Sequence, residues 1–284
     1  MSDIEKLGKE LIEQATIGNI DEVIRLINDG ADINYQDKSL YGNQDTAIIR
    51  VTKKGHIELV QKLIDLGADI ELEGYGATTP LIEASKNGNM EMVKLLLDNN
   101  ADVNHLTKDE FTALNLASWY GHLDIVQMLL EHGADPKIRG DEGMHALLYA
   151  VGRNRWDIVE KLIEYGADIE QTNDFGRTAL IEATSGRHVE IIDNLLNIGA
   201  NVNARDRCGY TPLMIVARYG RLDLVEKFLD NGADFMVKNI YGQNVLGVSK
   251  NGKIRKKVFE LIKRKYQKEP EIVNKFRIEG NFRG

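Results

Sequence analysis

The chain has 284 residues, 43% of them apolar, with 44 acidic against 36 basic side chains and a net charge of −8 at neutral pH. That balance argues against sequence-independent nucleic-acid binding, which needs a basic surface, and no run of 18 apolar residues is present to cross a bilayer. One cysteine, Cys208, excludes an internal disulfide and reads as an incidental loop thiol in a reducing compartment.

The opening residues, Met1-Ser2-Asp3-Ile4-Glu5-Lys6, have neither a basic n-region nor an apolar h-region, so no signal peptide and a cytoplasmic location are expected. Ile4, Leu7, Leu11, Ile12 and Ala15, then Val23, Leu26 and Ile27, recur at helical spacing, with Glu5, Lys6, Lys9, Glu10 and Glu13 on the opposite side. Residues 1–33 are therefore expected to form an N-terminal capping helix pair. It ends at Gly30-Ala31-Asp32, and that triplet returns as Gly67-Ala68-Asp69, Asn100-Ala101-Asp102, Gly133-Ala134-Asp135, Gly166-Ala167-Asp168, Gly199-Ala200-Asn201 and Gly232-Ala233-Asp234. The later intervals are 33 residues and the first is 37, so four extra residues are expected in the loop from Lys38 to Gln44.

Across residues 34–238 each unit carries a second marker: Thr46-Ala47-Ile48, Thr79-Pro80-Leu81, Thr112-Ala113-Leu114, His145-Ala146-Leu147, Thr178-Ala179-Leu180 and Thr211-Pro212-Leu213. Thr before an apolar run accepts bonds from the first-turn amides, and Pro has its φ already set for a helix, so these are read as helix starts. Gly55, Gly88, Gly121 and Gly220 follow at helix-ending distance. Second apolar helices come next, as in Ile57, Val60, Leu63 and Ile64, or Leu123, Ile125, Val126, Leu129 and Leu130. Trp156 stands where Ile57, Leu123 and Leu222 stand in other units and is expected in the core. A period of this length marks one supersecondary unit stacked on copies of itself.

In its 33-residue clock, its Thr-Pro-Leu-like starts and its Gly-Ala-Asp loops, nearly the whole chain resembles the ankyrin repeat. The resemblance implies an all-α solenoid of about eight stacked helix pairs with β-hairpin-like loops. The family's His after Leu is replaced by Ile49, Ile82, Asn115, Leu148, Ile181 and Met214, so apolar packing is expected where the family has a hydrogen-bond network. Asn34 and Asn104, each preceded by Asp-Ile or Asp-Val, also resemble targets of the family's asparaginyl hydroxylases.

Residues 239–266 read as a C-terminal capping repeat, with Ile254, Val258, Leu261 and Ile262 at helical spacing. Residues 250–284 hold 12 Lys and Arg against 4 Asp and Glu. The run Lys253-Ile254-Arg255-Lys256-Lys257 is read as the solvated face of the last helix in preference to a localisation signal, and residues 267–284 as a flexible basic tail.

The search for chemistry finds little. Six histidines are scattered over different repeats and no cysteine cluster exists, so no metal site is expected. Gly74-Tyr75-Gly76 begins like a dinucleotide loop, but Thr79 occupies the third glycine position and a hairpin tip is the better reading. Asp69, Asp102, Asp135 and Asp168 recur with the repeat and are read as acceptors for local loop amides. Neither a cofactor nor an enzymatic activity is expected.

The resemblance further implies that partners dock on a concave face lined by hairpin tips and the outward ends of the first helices. Those positions hold Phe111, Trp119, Tyr120, Met144, Arg153, Phe175, Arg177, Arg207, Tyr210, Arg218 and Tyr219, with Arg139 adjacent in phase. Trp, Tyr and Arg are the types enriched at binding hot spots. The structural reading of the same residues is that rings pack on neighbouring repeats and arginines pair with tip carboxylates, Arg207 with Asp174 or Arg177 with Asp141. The expected function is that of a monomeric, non-catalytic adaptor, scaffold or inhibitor that binds a protein with an acidic surface and no membrane. The alternative is a microbial effector, or the targeting subunit of an enzyme complex, that acts on a host protein and enters the host cell without a conventional signal peptide.

Overall fold

The computed structural model describes residues 3–38, 44–249 and 251–279. Among these there are seventeen α-helices and no strand. In chain order they are α1 (Asp3–Ile17), α2 (Ile20–Asn28), α3 (Ala47–Lys54), α4 (Ile57–Asp65), α5 (Pro80–Asn87), α6 (Met90–Asp98), α7 (Ala113–Tyr120), α8 (Leu123–Glu131), α9 (Ala146–Gly152), α10 (Trp156–Glu164), α11 (Ala179–Gly186), α12 (Val189–Asn197), α13 (Pro212–Tyr219), α14 (Leu222–Asp230), α15 (Val245–Val248), α16 (Gly252–Lys265) and α17 (Pro270–Glu279). The first sixteen make eight helix pairs, as the period requires. By contacts the chain divides into one unit of Met1–Asp141 with Glu160–Ala167 and a second of Glu142–Val159 with Asp168–Gly284.

Within the first unit, first helices pack on first helices (α1 on α3, α3 on α5, α5 on α7) and second helices on second helices (α4 on α6, α6 on α8). In the second unit the same rule joins α9, α11, α13 and α15, and α14 with α16. The starts are built as expected: Thr46, Thr79, Thr112, Thr178 and Thr211 each accept from the amide three residues on. Gly55, Gly88, Gly121 and Gly220 end their helices in the left-handed region. His145 departs from the pattern. It stands at the start of α9 without a side-chain cap bond, and its Nε2 instead lies 3.4 Å from the Gln171 carbonyl.

The Gly-Ala-Asp loops are bonded twice. In all seven, the Asp or Asn side chain accepts from the amide two residues ahead, from Asn34 N to Asp32 through Met236 N to Asp234. The residue that donates there then reaches the next loop: Asn34 accepts from Asp69 N, Glu71 from Asp102 N, Asn104 from Asp135 N, Glu170 from Asn201 N and Asn203 from Asp234 N, all at 2.8–2.9 Å. Asn34 and Asn104 are thus rungs of a ladder that fixes loop spacing, and Asn104 Nδ2 also donates to the Gly133 carbonyl.

At the position of the family histidine, Ile49, Ile82, Leu148, Ile181 and Met214 are 2% exposed or less, so apolar packing replaces most of that network; Asn115, 1% exposed, departs from it by burying a polar side chain at the same position. In the N-terminal pair Leu11, Ala15, Val23 and Leu26 are fully buried, whereas Ile4 is 64% exposed because it lies in the first turn, before the helix meets its neighbour. Gly8 admits the ring of Tyr35, whose Cγ would lie 2.2 Å from any added Cβ. Trp156 is half-buried, as are Ile57, Leu123 and Leu222. The shared position is the first residue of a second helix, at the margin of the packed face, and the core reading is corrected accordingly.

Of the expected long loop from Lys38 to Gln44, residues 39–43 lie outside the described residues; at its end, Gln44 N bonds the Asp37 carbonyl. At the other end the tail reading is revised. Residues 270–279 form α17, which returns Val273 and Phe276 to the protein and sets the Phe276 ring edge-on to Phe235 at 4.8 Å.

Candidate protein-recognition site

The hairpin tips are held by short internal bonds and by one bond to the preceding tip. Around Phe111, Thr107 N donates to the Phe111 carbonyl while Phe111 N donates to Thr107 Oγ1, at 3.0 and 2.9 Å. Asn173 and Asp206 close the tips of Arg177 and Tyr210 in the same way. Lys108 N then bonds the Gly76 carbonyl, Asp174 N that of Glu142, Arg207 N that of Phe175 and Ile240 N that of Cys208, at 2.8–3.0 Å. These four tips are each registered on the one before by a single amide.

In the first unit this registration brings Phe111, from the tip before α7, beside Trp119 and Tyr120 at the end of α7. With Tyr75, Ile82, Glu83, Lys86, Asp109 and Leu116 they line an open groove of about 350 Å³. Tyr75 and Tyr120 are 72% and 46% exposed, while Phe111 and Trp119 are half-buried in its wall. Glu83 is tied down by Thr78 Oγ1 at 3.3 Å and by Lys53 at 3.5 Å. Lys53 in turn serves Asp45, which is 1% exposed and also bonded by Arg50. Arg139, in the same unit, is exposed on the approach to the next tip.

The second unit holds the remaining candidates on its own tips and first helices. Phe175 is 47% exposed and Tyr219 49%; Arg153, Arg207 and Arg218 are exposed, and Met144, Arg177 and Tyr210 half-buried. Some of these rings and guanidinium groups already engage each other: Arg218 lies over Tyr210 at 5.7 Å, and Arg187 over Tyr219 at 4.8 Å. Tyr210 also packs on Ile181, Ala204 and Ile215, so part of its ring is framework. Arg177 finds its carboxylate in Glu182, 3.4 Å away in the adjoining helix, and Met144 Sδ accepts from Asn173 Nδ2. Sequence reasoning placed Tyr75 at a hairpin tip without choosing it as a binding residue and assigned no role to Arg187, whose ring partner Tyr219 comes from the next repeat and carries no local signature. Among the described residues no group of three His, Cys, Asp or Glu could hold a metal ion, and no helix is long and apolar enough to cross a membrane.

Helix pairs on a 33-residue period, capped by Thr and registered loop by loop, define the class, and the comparisons agree. A family model described as ankyrin repeats in three copies matches residues 11–105, 73–140 and 147–239, and a model of ankyrin repeats in many copies matches 120–163. The chain belongs to the ankyrin-repeat family, whose members are in general non-catalytic modules of protein–protein interaction. Among solved structures it is similar to the ankyrin repeat domain of Bcl-3, described as a unique member of the IkappaB protein family. The TM-score is 0.71 at 28% identity, over 78% of this chain and 99% of that one. No curated protein sequence matches the chain.

Proposed function

We propose that this protein is a non-catalytic adaptor or inhibitor that holds a protein partner against its hairpin tips and first-helix ends. Residues 34–238 serve as the recognition repeats, and residues 1–33 and 239–266 as caps. The observation that carries the reading is the groove of the first unit, where Phe111, Trp119 and Tyr120 stand together around open space. Rings held by framework bonds on both sides lose little entropy on binding, which is what a hot spot requires. The second unit adds Met144, Arg153, Phe175, Arg177, Arg207, Tyr210, Arg218 and Tyr219, and Arg139 belongs to the first; the exposed guanidinium groups favour carboxylate-bearing surfaces.

The test is capture of partners from source lysate by the full chain and by Trp119→Ala/Tyr120→Ala and Arg177→Ala/Arg207→Ala. A partner lost from both variants supports the face. A partner kept equally by wild type and both variants refutes it.

A further inference from the structure

The first helices end on a 33-residue series of their own, and one member breaks its rule. Positions 55, 88, 121, 154, 187 and 220 all have positive φ, between 58° and 87°. Four are glycine and one is Asn154, the types that enter the left-handed region most readily. Arg187, at φ 65°, carries a long side chain there at a backbone cost that glycine avoids. Its guanidinium lies over the ring of Tyr219 in the next repeat, 4.8 Å from the centroid, and both residues are exposed. Three repeats earlier the matching residues are Gly88 and Tyr120, so the same tyrosine stands there without the arginine.

Several other arginines spend their charge inside the chain: Arg25 pairs with Glu22, Arg177 with Glu182, Arg221 with Asp223 and Arg264 with Glu226. Among the described residues Arg187 has no carboxylate partner. On the function proposed above, which places recognition at the first-helix ends, we infer that Arg187, seated on Tyr219, binds an Asp or Glu side chain of the protein partner. A ring holds a guanidinium without consuming its N–H donors, which stay available for a bidentate bond to a carboxylate. The stack also restrains the side chain before binding, so less rotamer entropy is lost when the carboxylate arrives. The second unit carries 22 Lys and Arg against 17 Asp and Glu, a field that draws an acidic segment toward it. The backbone cost at position 187 and the missing carboxylate thus have one explanation, a cation placed for a group from outside the chain.

The experiment titrates the full chain with capped peptides Gly-Ser-X-Ser-Gly, in which X is glutamate, glutamine or phosphoserine. The readout is the backbone amide resonance of Gly220, which follows Tyr219 and is present in every variant; that of Gly121, which follows Tyr120, is the internal control. The glutamate peptide is expected to move Gly220 and leave Gly121 in place, with affinity roughly threefold or more above glutamine, the range of an exposed ion pair. Arg187→Gly, which restores the common residue of the series, and Arg187→Gln, which keeps a polar chain without the charge, should each abolish that preference. Glutamine binding as tightly as glutamate, a response to phosphoserine alone, or a glutamate preference that survives in either variant overturns the inference; in the last case the stack on Tyr219 serves packing only. Should the inference fall while lysate partners still depend on Trp119 and Tyr120 or on Arg177 and Arg207, the recognition face stands and only the role of Arg187 is lost.

Discussion

At the residue scale, one backbone position shows how the repeat accommodates imperfect copies. Positions 44, 77, 110, 143, 176, 209 and 242 form a 33-residue series, and every one has positive φ. The last four are glycine, which enters this region freely, whereas Gln44, Ala77 and Glu110 bear the cost of a Cβ there. Glu110→Gly is expected to stabilise the chain by about 0.5–1 kcal/mol in urea unfolding, since its side chain is exposed. A midpoint that falls would show that chain entropy outweighs the strain. The loop ladder gives a second case: Asn104→Ala removes the acceptor for Asp135 N and the donor to the Gly133 carbonyl, at an expected cost of about 1–2 kcal/mol. An unchanged midpoint would mean that water replaces both bonds. The Asp of each loop was readable because its bond closes within two residues. The rungs were not, since Asn and Glu both serve and their partners lie 31 or 35 residues away.

At the element scale, each helix pair is completed by its neighbour. His122 at the start of α8 donates Nε2–H to the Lys86 carbonyl at the end of α5, and His188 does the same for Gly152. The ring occupies the space over Gly88, where an added Cβ would lie 2.6 Å from His122 Cε1. Leu129, fully buried in α8, should cost about 2–5 kcal/mol when replaced by Ala; a shift below about half a kcal/mol would remove it from the core. α17 was not legible because, among the described side chains, it buries only Val273 and Phe276 in an otherwise charged stretch. Phe276→Ala is expected to open residues 267–279 to limited proteolysis while the cleavage pattern of residues 44–249 stays as it is. Equal resistance in both proteins would show that the Phe235 contact does not hold the helix.

At the scale of the whole molecule, the proposed function predicts that charge and ring placement divide the work of recognition. Arg177→Ala/Arg207→Ala should slow association with a captured acidic partner, and the difference from wild type should shrink as salt rises, because exposed charges act over a Debye length of about 8–10 Å. Trp119→Ala should act mainly by speeding dissociation, with little salt dependence. Surface plasmon resonance at two ionic strengths separates the two effects, and matching salt profiles would refute the division. The period, the helix pairs, the threonine caps and the Asx loops were determined by sequence alone. The period shows by repetition itself, and each of the others rests on bonds, φ preferences or apolar spacing that run within a few tens of residues at most, so the side chains that make it sit close together in the chain. The tertiary structure alone decided that Phe111, Trp119 and Tyr120 share a groove with Tyr75, that Arg187 and Arg218 cover their own rings, and that Trp156 stays at the margin of the core. Those outcomes depend on how one repeat seats on the next, and the lateral packing that sets it joins residues 30 or more positions apart.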